Sequence, residues 1–209
     1  MMKILVCISS VPDTTSKINF NAENSAFDAN GIQFIINPYD EFVLTKAIKL
    51  REKHGGTVTV AHVGTVNNDP TLRKALAIGA DDAIRVDAEA TDSFFVANEL
   101  ATIAKDFDLI MAGRESIDYN GGSVPAMIAE ILDLGLINGC TGLEINGSNV
   151  SGEREIEGGK ESLSASLPIV IAGQKGLVEE SELLIPNMRG IMTARTKPLN
   201  VVTAQANEE

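Results

Sequence analysis

Residues 108–132 read DLIMAGRESIDYNGGSVPAMIAEIL. The first five, DLIMA, are a short apolar run of the kind that fills a strand buried on both faces. From Ser123 the apolar positions Val124, Met127, Ile128 and Ile131 recur three and four apart, the spacing of an amphipathic helix. Between them lies a polar stretch with two adjacent glycines. Strand, loop and helix in that order make half of a βαβ unit, which implies a parallel sheet with right-handed crossovers. Upstream the rhythm repeats: 3–9 (KILVCIS), 57–63 (TVTVAHV) and 82–86 (DAIRV, after a Gly-Ala-Asp turn) read as strands, and 38–54, 70–78 and 91–105 as the helices between them. With the helix at 123–132 this is an α/β pattern, a mainly parallel sheet with helices on both faces.

Beyond Gly139 the rhythm changes. Short alternating segments at 143–146, 150–156, 162–166 and 169–172 are separated by Asn-Gly and Gly-Gly turns, which predicts a β-hairpin extension of the main sheet. No repeat or linker divides the chain, so the expected organisation is one α/β body over 1–175 and a C-terminal segment, 176–209, that is no independent domain. Within that segment 183–207 contain no acid but include Arg189, Arg195 and Lys197.

That basic stretch stands out because the whole chain of 209 residues carries 29 acidic against 17 basic residues, a net charge of −12. Such a field repels polyanions, so nucleic acid is not an expected partner. The hydrophobic share of 44% and charged share of 22% are those of an ordinary globular protein. No apolar run approaches the roughly 18–20 residues that span a bilayer, and the first residues enter a strand without a leader pattern. No direct membrane insertion and a cytoplasmic location are therefore expected. Cys7 and Cys140 fit no metal or redox spacing and read as buried thiols, while His54 and His62 offer no ligand pair, so no metal site and no catalytic triad are expected. GxxxxGK[ST] is absent, and no GxGxxG follows the first strand. Asp13, Asp81 and Asp82 read as solvated turns rather than a carboxylate dyad. The chain carries no catalytic constellation.

The loop after DLIMA is the candidate site. It is longer than the roughly 2–6 residues common in βα connections. Gly121 and Gly122 let the backbone approach a ligand, and Ser123 opens a helix whose first amides favour an anion such as phosphate. Ligands in open parallel sheets bind off the carboxyl ends of strands, where this loop lies. A glycine turn with a serine cap explains the same residues without a ligand. Asn37-Pro38-Tyr39-Asp40-Glu41 is a strong helix start, with Asn37 as cap and Pro38 in the first turn, and capping alone accounts for it.

Larger blocks carry a resemblance. VPDT at 11–14, NPYDE at 37–41, ALAIGADDAIRV at 75–86, the Gly113 loop, REIEGGKESLSASLPIVI at 154–171 and PNMRGIMTARTKP at 186–198 follow in the order found in the β (small) subunit of electron transfer flavoproteins. The chain resembles that family over nearly its whole length. The resemblance implies a nucleotide-binding fold of the adenine-nucleotide-hydrolase-like kind, paired with a larger α subunit that holds most of the redox FAD. It implies AMP, or a second FAD, in a site matching Cys7, Asn37, Pro38, Tyr39, Asp40, Val63 and the loop Gly113, Arg114, Glu115, Ser116, Ile117, Asp118, Tyr119, Asn120, Gly121, Gly122, Ser123 and Val124. Thr14 and Tyr39 match positions near the flavin of the α subunit. Met188, with Arg189, Ile191 and Met192 beside it, matches the segment that docks partner dehydrogenases of the acyl-CoA type, and electrons would pass on to a quinone oxidoreductase or another acceptor. The implied role is that of an electron carrier, not an enzyme.

The loop departs from the family's usual Asp followed by a polar Thr/Asn-Gln-Thr/Val stretch, reading Asp118-Tyr119-Asn120-Gly121-Gly122-Ser123-Val124, which leaves AMP against FAD open. Many members also continue past the position of Glu209 with an arm over the α subunit. Two other readings use the same general sheet. One is a stand-alone adenine-nucleotide-binding module of the universal-stress type. The other is an adenylate-handling enzyme, whose SGGxDS-type loop is replaced here by 9–13 (SSVPD).

Overall fold

The computed structural model describes residues 1–205, so the expectation about the chain end at Glu209 lies outside the described residues. In chain order the elements are β1 (Met2–Cys7), β2 (Ser10–Pro12), β3 (Phe34–Ile36), α1 (Pro38–His54), β4 (Gly56–Gly64), α2 (Asp69–Ile78), β5 (Asp82–Asp87), α3 (Ser93–Ala104), β6 (Leu109–Gly113) and α4 (Val124–Ile131). There follow β7 (Gly135–Asn146), β8 (Asn149–Ile156), β9 (Gly159–Ser166), β10 (Ile169–Gly173), α5 (Met188–Ala194) and β11 (Leu199–Thr203). One nine-stranded sheet has the order β11-β5-β4-β1-β6-β10-β7-β8-β9. From β11 to the first half of β7 all pairings are parallel, while β7, β8 and β9 pair antiparallel. The α/β class and the helices on both faces are as the sequence predicts.

Burial explains the strand composition. β6 and β10 are buried at every position. One apolar cluster, including Ile4, Val6, Val58, Val60, Leu72 and Leu109, packs under α1, α2 and α5; the other, including Leu5, Cys7, Ala61, Val63, Ile110 and Val170, packs under α3 and α4. Alternate residues of each strand thus feed opposite cores, and each fully buried Leu, Ile or Val contributes about 1.5–3 kcal/mol.

The hairpin reading needs one correction. Segment 169–172 is no part of the extension: as β10 it lies between β6 and β7, parallel to both, in the middle of the sheet. Its four apolar residues fit a fully buried parallel strand as well as an alternating one, and only the return of the chain after β9 separates the two. β7 begins at Gly135, before Asn138-Gly139. Its first half pairs with β10, then a register shift at Cys140–Gly142 turns its second half into the β8 hairpin. Three strands escaped the sequence pattern: the short antiparallel pair β2–β3, and β11, which joins the sheet edge beside β5.

Asp81 is also more than a solvated turn. Its carboxylate accepts from Arg51 of α1 at 2.8 Å and from the Val58 amide of β4 at 2.8 Å, tying three elements at the amino end of the sheet. The C-terminal segment is clamped in a similar way. Arg73 of α2 donates to the carbonyls of Ala194 and Lys197, and the Lys197 ammonium donates to those of Leu76 and Ala80. Cations thereby satisfy the free carbonyls at two helix ends.

Candidate functional site

The chain leaves β1 for β4 and β5 on one side, then crosses to β6 on the other. The connections after β1 and β6 therefore diverge, and a crevice opens between them at the carboxyl ends of the strands. The cavity there measures about 250 Å³. Its walls come from the end of β1 and the start of β2 (Cys7, Ser9, Ser10), the end of β4 (His62, Val63), the entry to α3 (Asp92, Ser93), Asp40 of α1, and the loop from Gly113 into α4.

The first turn of α1 organises these walls. Asp40 is 3% exposed, and its two oxygens accept from the Ser9 amide and the Gly113 amide, each at 2.7 Å. One carboxyl group thus joins the exits of β1 and β6. Asn37 is buried and makes no side-chain cap; its amide donates to the Glu115 carbonyl at 2.9 Å and its oxygen accepts from Ile117 N at 3.2 Å. The capping reading of Asn37 is corrected here: the side chain reaches the loop instead of its own helix. Gly113 is where these groups crowd together. A Cβ on it would stand 2.7 Å from the Tyr39 Cβ and against the Asp40 carboxylate.

At the loop's far end, Ser123 precedes α4 without a side-chain cap. Ser123, Val124 and Pro125 line the cavity, so the uncapped opening turn of α4 borders it, and the serine-cap explanation of this stretch is removed. By contrast Asp92 caps α3 through the Phe95 amide. Asn120 and Gly122 take positive φ values, 50° and 61°, and Gly121 between them lies beside Ser93 of α3, whose Oγ is 3.8 Å from where its Cβ would stand.

Of the residues expected at the site, Cys7, Asp40, Val63, Gly113, Arg114, Glu115, Ser116, Asp118, Tyr119, Gly121, Gly122, Ser123 and Val124 line the cavity. Asn37, Pro38, Tyr39, Ile117 and Asn120 stand off its walls, as supports for the loop or for the start of α1. Ser9, Ser10, His62, Asp92 and Ser93 line it as well, and the sequence reading did not single them out. The strand-end rule would have found the first three, since they sit where β1 and β4 finish.

Burial sets the protonation of the inner wall. It pushes the Cys7 thiol up to about 12, and the nearby Asp40 carboxyl adds to the effect, so Cys7 stays a thiol. The His62 imidazole is held below its ordinary range by burial, its Nδ1 lying 2.9 Å from the Ile8 carbonyl. Burial raises the Asp40 carboxyl to about 7 even though the backbone amides it accepts from oppose the shift. Both cysteines are buried and unbridged, as expected. Among the described residues no cluster of His, Cys, Asp or Glu could hold a metal, and no helix is long and apolar enough to cross a membrane.

An electron transfer flavoprotein domain model matches residues 25–207. The chain is 39% identical over 204 residues to the electron transfer flavoprotein subunit beta of Bacillus subtilis, covering 95% of this chain and 77% of that protein. It is 38% identical over 211 residues to the subunit of the same name from Syntrophomonas wolfei, covering 99% and 82% respectively. The chain belongs to the electron transfer flavoprotein family. A further relative is the protein FixA of Sinorhizobium fredii, 35% identical over 189 residues, 84% of this chain and 66% of that one. As an electron transfer flavoprotein chain it is an electron-transfer component rather than an enzyme, and a flavin-associated one. In this family member the segment expected to dock partners is well exposed: Met188 is 76% and Met192 68% accessible on α5, so neither methionine packs in the core. Of its three bases Lys197 is committed to the clamp on α2, leaving Arg189 and Arg195 exposed.

Proposed function

We propose that the chain is the β subunit of a heterodimeric electron transfer flavoprotein, with an adenine nucleotide, AMP or a second FAD, seated in the cavity between the ends of β1 and β6. The redox FAD would be held mainly by the larger α subunit, with Thr14 and Tyr39 facing it, and would supply the one- and two-electron chemistry. Electrons would arrive from acyl-CoA or related dehydrogenases docking on α5 and leave to a quinone oxidoreductase or another acceptor, in the cytoplasm. The observation that carries the nucleotide reading is the cavity at the switch point, with the uncapped opening of α4 at its mouth and Val63 and Cys7 on its inner wall. Exposed Ile18, Phe20 and Phe34 around the β2–β3 excursion suit burial against a partner subunit.

Gly121 gives the cleanest test of the nucleotide. Its backbone is outside the left-handed region, unlike that of Gly122, and a Cβ on it would have nothing nearer than Ser93 Oγ at 3.8 Å. Gly121→Val therefore fills the mouth without straining the loop. The purified complex is expected to lose at least about tenfold of its AMP while keeping its α subunit and redox flavin, as read from acid extracts. Unchanged nucleotide content would leave only a solvent-filled crevice. For docking, Met188→Ala is expected to weaken dehydrogenase binding by about 1–3 kcal/mol, with Arg189 and Arg195 acting on the association rate. Because Met188 is exposed, the melting temperature should not move. An unchanged second-order rate of electron uptake would remove α5 from the docking surface.

A further inference from the structure

The cavity is an acidic place to put a phosphate. Among the described residues that line it, Asp40, Asp92, Glu115 and Asp118 carry carboxyl groups, against the guanidinium of Arg114 and the imidazole of His62. Arg114 does not offset them freely, since it lies 3.6 Å from Glu115 and donates to Gln174 at 3.0 Å. His62 sits in the wall with its ring turned to the Ile8 carbonyl, and burial disfavours its charged form.

The four acids differ in solvation. Asp92 and Asp118 are exposed and Glu115 is partly so, hence screened by water, whereas Asp40 is buried. The groups packed against Asp40 are the Cys7 thiol of β1, the Ser9 and Gly113 amides, and Asn37 and Glu41 of its own helix. No cation is among them. An anion brought into this cavity raises the electrostatic cost of a buried carboxylate that has no counter-ion.

We propose that Asp40 takes up a proton from solvent when an anionic nucleotide phosphate enters the cavity, making it a proton-linked positioning residue for the nucleotide. The proton removes a buried, uncompensated charge from the cavity wall as the anion enters, and the carboxyl group still bridges the exits of β1 and β6. This rests on the nucleotide reading given above. Burial raises the Asp40 carboxyl to about 7, so at pH 8 it is mostly ionised and has a site for a proton. AMP, whose second phosphate proton leaves near pH 6, is then fully dianionic.

The test is calorimetric titration of AMP, with adenosine as the uncharged control, into the complex with its α subunit freed of bound nucleotide. It is run at pH 8 in buffers of different ionisation enthalpy. The expected result is uptake approaching one proton per AMP bound and none for adenosine, with AMP affinity falling up to about tenfold per pH unit above pH 7. In Asp40→Asn the proton uptake and the pH dependence should both vanish. In the unmodified complex an infrared difference spectrum should gain a protonated-carboxyl band on AMP addition, a readout that does not depend on the variant folding. Binding of AMP without buffer-dependent heat, or uptake that persists in Asp40→Asn, overturns the linkage while leaving the nucleotide site intact. Absence of binding by both AMP and adenosine overturns the site itself and the linkage with it.

Discussion

Gly113→Ala is expected to destabilise the chain by roughly 3–5 kcal/mol, a sum of overpacking against Tyr39 and of displacing Asp40 from a buried amide. The last residue of β6 lies so close to the first turn of α1 that a single methyl group has nowhere to go. Its nearest neighbours would be the Asp40 carboxylate, the Tyr39 Cβ and the Asn37 amide, which is 3.1 Å away, and all three belong to the turn that holds the cavity walls together. Denaturant unfolding followed by circular dichroism should show a lower midpoint with an unchanged slope. Gly159→Ala is the control, since nothing lies within 4 Å of the added carbon there. A shift at Gly113 no larger than at Gly159 would mean that α1 and β6 are not clamped.

Asp40 should leave its mark on the pH dependence of folding. In the folded chain burial lifts its carboxyl from the ordinary 3.8 to about 7. Between those values the folded state keeps a proton that the unfolded state has released. Its contribution is therefore whole below about pH 4 and is lost as pH rises to about 7, a fall of up to about 4 kcal/mol. Asp40→Asn does not titrate, so that fall disappears. The variant does turn an amide NH2 toward one of two backbone donors, at a roughly constant cost of about 1–3 kcal/mol. The difference between the two proteins should thus move in favour of the variant by up to about 4 kcal/mol from pH 4 to pH 8. Every other titrating group is common to both, so parallel stability curves would assign the pH dependence elsewhere.

The sheet's central strands were legible because burial on both faces leaves a strong mark: KILVC, TVTVAHV and DLIMA contain little that could face water. What escaped was position. Whether 169–172 extends a hairpin or fills the slot beside β6 depends on pairing across some sixty residues of chain, and its composition fits either place. β11 was missed for the opposite reason: as an edge strand its residues from Asn200 to Thr203 are exposed, and no periodicity survives.

The candidate site was half legible. The glycines and Ser123 announced a loop built for close approach, and the family resemblance pointed to Asp40 and Val63. Nothing local told that Asn37 would serve the loop and not its helix, since Asn before Pro is good capping chemistry whatever the side chain touches in the folded state. His62 has no metal-ligand or triad spacing to mark it, and its place at the end of β4 is what brings it to the cavity.

The position of β10 has a consequence for the growing chain. β6 is complete at Gly113 and β7 at Asn146, yet the strand that separates them comes only after the whole β8–β9 hairpin has been made. Until then the two strands have no common neighbour, and β6 presents one open, fully apolar edge in the middle of what will be the sheet. Such an edge is a template for the wrong strand, and closing it waits on a long-range contact, the slow kind in sheet assembly. The two tight turns that join β7 to β8 and β8 to β9 shorten that wait by folding locally, so the extension works as a device of assembly that returns the chain to the gap it left behind.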